Sequence, residues 1–203
     1  MLKIISKINL YIFVLLFLGG CTTIYNPATG RREFIIIDSQ TETAIGKNVQ
    51  KDLLSKPGLT KDFKLQERVK GIGRRLVQVS ERKDIEYSFN VLQDKELNAM
   101  ALPGGFIYVN EGLAKILSDD ELAYVIGHEV GHVAGRHIAK KLQAGMAYQL
   151  ILTLALAGSG DGASGAAAQD IALGVDTVYN LISLGYSRKD EYEADKFGVR
   201  YSD

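Results

Sequence analysis

The sequence predicts an α+β fold, mainly helical, in which a small sheet stands beside two helices that share a candidate metal site. Three observations predict it. Residues 118–137 read as a helix and hold all three histidines of the 203-residue chain. Residues 187–195 read as a second helix rich in carboxylates. Between residues 85 and 109, short runs alternate apolar and polar positions, the period of a half-buried strand.

Residues 1–20 read as a signal peptide, with Lys3 and Lys7 ahead of an apolar run from Leu10 to Leu18. That run is shorter than the roughly 20 residues a membrane span needs. Leu18-Gly19-Gly20-Cys21 resembles the bacterial lipobox, so Cys21 is expected to carry lipid and become the mature N-terminus. The alternative is an uncleaved anchor or a chance cysteine. Residues 21–32 are expected to be a lipidated tether, broken by Pro27 and Gly30. Residues 33–203 form one domain, and the close at Asp203, soon after the last motif, predicts a truncated sequence.

Two helices follow. Ser39 with Glu42 is expected to cap the first, placing Ile45, Val49 and Leu53 on one face. In the second, Leu65, Val69, Ile72, Leu76 and Val79 recur at steps of four and three. Arg68, Lys70, Arg74 and Arg75 are expected on a solvated face. Ile85, Tyr87, Phe89 and Val91 then mark a strand, and Phe106 to Val109 another. Between them lies Asn98-Ala99-Met100-Ala101-Leu102-Pro103-Gly104, short and ended by proline. Such a segment suits a sheet edge with free backbone groups, although it can equally be an ordinary hairpin connection. Residues 144–157 and 166–184 are apolar and helical around a glycine-rich loop. They form either core or a cover for the site.

The chemistry concentrates in residues 118–137. Ser118 with Glu121 is a capping box, and Asp119 and Asp120 suit the positive helix end. His128 and His132 fall about 40° apart on one helix face. That pair can hold one metal ion, and the carboxylate of Glu129 beside it can take a proton from an attacking water. The alternative is two histidines satisfied in a core. Gly127, Gly131 and Gly135 form a stripe beside the histidines, which predicts close approach of another backbone. His137, on a continuous helix, points away from the metal and is expected at the surface or in a second layer. The better third ligand is Glu191, and Asp195 one turn later is placed to accept the free N–H of a ligand histidine. The developing oxyanion needs a further donor. No histidine is left for that task, so an arginine or tyrosine is required.

His-Glu-Val-Gly-His followed by Ser187-Arg188-Lys189-Asp190-Glu191-Tyr192-Glu193-Ala194-Asp195 resembles the gluzincin metallopeptidases that include the HtpX heat-shock protease and the CAAX prenyl endopeptidases, metallopeptidase family forty-eight. Asn98 to Val109 with Glu111-Gly112-Leu113 is similar to a third block of that family. Tyr25 to Arg32 is similar to its secreted lipoprotein branch. The resemblance implies a zincin fold with one zinc ion held by His128, His132 and Glu191, and Glu129 as the catalytic base. It also implies that an extended substrate pairs with the edge strand.

Composition narrows the partners. Twenty-four basic and twenty-four acidic residues leave no net charge, so nothing steers nucleic acid to this chain. One cysteine excludes an internal disulfide. The expected function is zinc-dependent endoproteolysis of unfolded or misassembled polypeptides in the bacterial envelope, from an outer-membrane lipid anchor facing the periplasm. The rivals are a zinc-binding chaperone that does not cut and a structural zinc lipoprotein.

Overall fold

A computed structural model describes residues 23–55, 58–158 and 175–203. The stretch expected to be a signal peptide, Cys21 and the glycine-rich segment after Gly158 lie outside the described residues. The elements run β1 (Thr23–Asn26), β2 (Arg31–Phe34), α1 (Ser39–Leu53), α2 (Phe63–Val79), β3 (Ser88–Leu92), β4 (Ala99–Leu102) and β5 (Phe106–Asn110). They continue with α3 (Glu111–Ile116), α4 (Asp119–Ala134), α5 (His137–Gly158), α6 (Val175–Ser183) and α7 (Arg188–Ser202). Among the described residues, no helix is long and apolar enough to cross a membrane.

The expected tether is instead a folded hairpin from residue 23 onward. β1 pairs antiparallel with β2, Thr23 opposite Phe34 and Asn26 opposite Arg31. Pro27 and Gly30 make its turn rather than interrupting structure, since the Gly30 N–H donates to the Asn26 carbonyl at 2.9 Å. The buried Asn26 amide donates to the Ala134 carbonyl at 3.1 Å and so ties the hairpin to the end of α4.

The cap of α1 also differs from expectation. Asp38 is the N-cap, accepting from the Thr41 N–H at 2.7 Å. Glu42 is therefore free to turn inward, where it is fully buried and pairs with Arg82 at 2.6 Å. α2 buries Leu65, Val69, Ile72 and Leu76 as its periodicity predicts, but Val79 lies exposed past the end of the packed face. Arg68 is not on a solvated face. It donates to the carbonyls of Ala114 and Leu117 at 2.7 Å each and meets Asp119 at 2.6 Å, closing the end of α3 onto the start of α4.

The sheet has the order β3-β5-β4, with β3 and β5 parallel and β4 and β5 antiparallel. β5 lies in the centre and buries Ile107, Tyr108 and Val109 completely. Pairing on β3 begins only at Ser88, opposite Phe106, because residues 103–105 turn at Gly104 and Gly105 (φ 78° and 88°) and offer Ile85 to Tyr87 no strand to pair with. The outer edge of β3 is partly closed by a side chain: Gln66 accepts from the Val91 N–H and donates to the Phe89 carbonyl, both at 2.9 Å. β4 is the other edge, as its proline and brevity predict.

α4 starts where the capping box sets it. The Ser118 N–H donates to Glu121 at 2.8 Å, and the Ser118 hydroxyl accepts from the Glu121 N–H at 3.3 Å. Ser118→Ala is expected to cost about 1 kcal/mol, a helix-cap loss readable by urea denaturation. An unchanged midpoint would show that the other first-turn contacts suffice. The glycine stripe meets α7: a Cβ on Gly127 would lie 3.1 Å from the Gly198 carbonyl, and one on Gly131 would lie 2.7 Å from the Phe197 Cβ. α7 thus packs backbone to backbone against the histidine helix.

In residues 175–184, Val178 is core while Tyr179 and Ile182 line the cleft beside the histidines, so α6 serves both as core and as cover. In the first apolar stretch Tyr148, Leu150 and Ile151 are exposed.

Candidate metal centre

The histidine helix does not run on to His137. α4 ends at Gly135, Arg136 takes a left-handed φ of 54°, and α5 begins at His137 in a new direction. The Arg136 guanidinium donates to Asp84 at 2.9 Å, which holds this turn. The single continuous helix and a surface position for His137 are corrected here. The other expectation, a place in a second layer outside the ligand group, agrees with the structure: its ring is buried, and its Nδ1 lies 3.0 Å from the Nδ1 of His132.

Close packing of α7 on α4 brings Glu191 to the two histidines. His128 Nε2 and His132 Nε2 lie 3.0 Å apart, and Glu191 Oε2 lies 3.3 Å from the first and 3.7 Å from the second. Ligands at about 2.0–2.1 Å in a tetrahedron stand about 3.3 Å from one another, so the three atoms match three corners of a zinc-sized site.

Hydrogen-bond partners suit the match. His128 Nδ1 lies 2.9 Å from the Asp195 carboxylate, which only accepts, so Nδ1 donates, and the neutral tautomer of this ring presents a bare Nε2. His137 Nε2 lies 3.0 Å from the Glu193 carboxylate and must donate there, which leaves His137 Nδ1 to accept from His132 Nδ1–H. That tautomer of His132 presents its Nε2 to the cleft as well. With both rings in these tautomers, two lone pairs and a carboxylate oxygen converge, an arrangement that a cation stabilises. Burial lowers the pKa of His132 and of His137, and for His137 the Glu193 carboxylate opposes that shift only in part, so burial favours the neutral form of both rings.

Asp195 also accepts from the Tyr124 hydroxyl at 3.0 Å, so its carboxylate is fixed on two sides. Asp195→Asn is expected to weaken zinc binding by about 10–100-fold with the fold intact, measured by chelator competition, because an amide orients the His128 ring less firmly. Equal affinity in the two proteins would remove Asp195 from this role.

The three atoms face a cleft of about 380 Å³, whose wall includes Asn98, Ala99, Met100 and Ala101 of the edge segment. The structure therefore brings that segment beside the site, whereas Leu102 is fully buried and Pro103 and Gly104 turn away against α1. Glu129 is half-buried in the same cleft. Burial raises its pKa to about 7, opposed by His128 and by the backbone N–H of Ala101.

Sequence reasoning missed Tyr186. Its ring stacks on His132 at 4.0 Å between centroids, and its buried hydroxyl has no hydrogen-bond partner among the described residues. It precedes the cap of α7 and shares no periodicity with the motif, so no local signal marks it.

Residues 64–203 match the profile of Peptidase family M48. The chain belongs to this family. It is 29% identical over 183 residues to the mitochondrial metalloendopeptidase OMA1 of Schizosaccharomyces pombe, covering 86% of this chain and 51% of that relative. The protease HtpX homolog of Archaeoglobus fulgidus is 34% identical over 154 residues, 70% of this chain and 44% of the relative. The beta-barrel assembly-enhancing protease of Yersinia pestis is 25% identical over 186 residues, 86% and 36%. The chain thus spans about half, or less, of the length of these relatives. A mainly helical domain with a small sheet agrees with the family expectation.

Proposed function

We propose that the chain is a zinc-dependent metalloendopeptidase acting on unfolded or misassembled polypeptides of the cell envelope. The observation that carries this reading is the convergence of three possible ligand atoms, from His128, His132 and Glu191, in a cleft walled by an edge strand. His128, His132 and Glu191 would hold the ion, which supplies Lewis-acid polarisation and acidifies water.

The rest falls to the protein's own groups. Residues 98–101 line the cleft along the sheet edge that does not pair with β5, so an extended peptide would add there as a further strand with its scissile bond beside the histidines. Glu129 takes the proton of the attacking water and returns it to the leaving amine, a role that suits a carboxylate raised toward neutrality. Asp195 and His137 hold the two imidazoles in the tautomer that leaves Nε2 free.

An envelope location, with lipid on Cys21, is supported by the lipobox-like Leu18 to Cys21 and by similarity to a relative named for beta-barrel assembly. The test is cleavage of casein and of an unfolded outer-membrane protein by the zinc-loaded chain, with and without chelator. Chelator-sensitive cleavage, restored by zinc, is the expected result. Binding of the unfolded protein without cleavage would replace this reading with that of a chaperone.

A further inference from the structure

The family match begins at residue 64, yet a chain of contacts runs from the metal centre to the hairpin of β1 and β2. We propose that this hairpin is part of the metal centre, with Arg31, Glu193 and His137 acting in series as positioning residues for the ligand His132. The proposal rests on the reading of His128, His132 and Glu191 as metal ligands.

The series is continuous. Arg31 of β2 donates to both oxygens of Glu193, at 2.7 and 3.0 Å. Glu193 Oε2 accepts in addition from His137 Nε2–H at 3.0 Å, and His137 Nδ1 accepts from His132 Nδ1–H at 3.0 Å. Each contact orients the next ring. Glu193, engaged on both oxygens by Arg31, accepts from His137 Nε2–H; that tautomer of His137 presents Nδ1 as an acceptor to His132 Nδ1–H, which turns His132 Nε2 toward the metal.

Two further features are built around His137. A Cβ on Gly135 would lie 2.4 Å from His137 Nε2, so only glycine leaves room for this ring. The left-handed Arg136, held by Asp84, folds the chain back so that a residue five after His132 in sequence reaches its Nδ1. A ring that merely filled space would need neither the carboxylate nor the turn. The hairpin is held in turn by Asn26, through its bond to the Ala134 carbonyl, and by Glu33, which meets Lys140 of α5 at 3.0 Å.

The test uses the full chain and measures zinc affinity by chelator competition, independently of proteolysis, with circular dichroism to check the fold. His137→Leu removes the acceptor and is expected to lower affinity by about 10–100-fold, the range for losing such an outer partner. His137→Asn keeps an acceptor near the position of Nδ1 and is expected to retain most of the affinity. Arg31→Ala, at a half-exposed position, is expected to fall between wild type and His137→Leu. Wild-type affinity in His137→Leu, or equal losses in the Leu and Asn variants, would overturn the positioning role. Wild-type affinity in Arg31→Ala would overturn the part assigned to the hairpin. Should His137→Leu not fold, Glu193→Gln replaces it: loss of zinc affinity is expected, and wild-type affinity overturns the series. Glu191→Ala separates the two readings. If it binds zinc as wild type does, the ligand assignment fails first; if it alone loses zinc, the ligand assignment stands and the series falls.

Discussion

Glu129→Gln is expected to keep its zinc and lose hydrolysis by about 10²–10⁴-fold, the usual contribution of a positioned general base. The amide preserves the size of the side chain and can still accept from the Ala101 N–H, the backbone contact that steadies Glu129 in the folded protein. It cannot accept a proton from water. Glu129 is not among the three residues whose ligand atoms converge, so removing its charge leaves the metal cage intact. Glu191→Ala is the complementary change. It removes one of three donors and the one formal negative charge among them, so metal and activity are expected to disappear together. Zinc content and peptide cleavage measured on both purified proteins decide the roles. Loss of zinc in Glu129→Gln with retention in Glu191→Ala would reverse them.

The second large effect concerns stability. Glu42→Ala is expected to destabilise the domain by about 3–5 kcal/mol, because it leaves the buried charge of Arg82 with only the half-exposed Asp84 carboxylate, at 3.5 Å. Both side chains are almost completely inaccessible, at 0% and 3% relative exposure. The pair also joins parts that frame the cleft. Glu42 accepts from the Gly104 N–H at 3.2 Å, just after the edge strand, while Arg82 donates to the Val133 carbonyl at 2.8 Å, near the end of the histidine helix. Burial pulls the Arg82 pKa down but the adjacent Glu42 carboxylate outweighs it, so the guanidinium stays charged in the folded state. A denaturation midpoint within about 1 kcal/mol of wild type would show that water or local rearrangement satisfies the arginine, as it does for exposed pairs.

Most of the centre was legible in the sequence because its signals are local. Helical periodicity alone puts His128 beside His132, and Glu191 one turn before Asp195. The same periodicity, with the capping box, placed the start of α4, and the glycine stripe announced a close neighbour before α7 was known to be it. For Asn98 to Leu102 the sequence left an edge strand and a hairpin connection equally open, and β4 is both, an edge strand that turns at residues 103–105 to pair antiparallel with β5.

What lay beyond the sequence shares one cause: it depends on partners remote along the chain. Arg68 looks solvated until the end of α3 is placed against it, and Glu42 looks like a cap until Arg82, forty residues on, takes its carboxylate. Pro27 and Gly30 read as breakers because the pairing of Thr23 with Phe34 has no periodic signature in so short a segment. His137 is the sharpest case. One residue, Arg136, leaves the helical region, and everything after it is re-aimed, so the angle predicted from a continuous helix no longer holds. By itself, the sequence set His128 and His132 on one helix face and marked Glu191 as the candidate third ligand, because residues one helical turn apart share a face whatever surrounds them; packing of α7 on α4 brought Glu191 to them. Only the tertiary structure decided which groups orient those side chains, because a hydrogen bond between side chains from separate elements exists only once packing has fixed both ends.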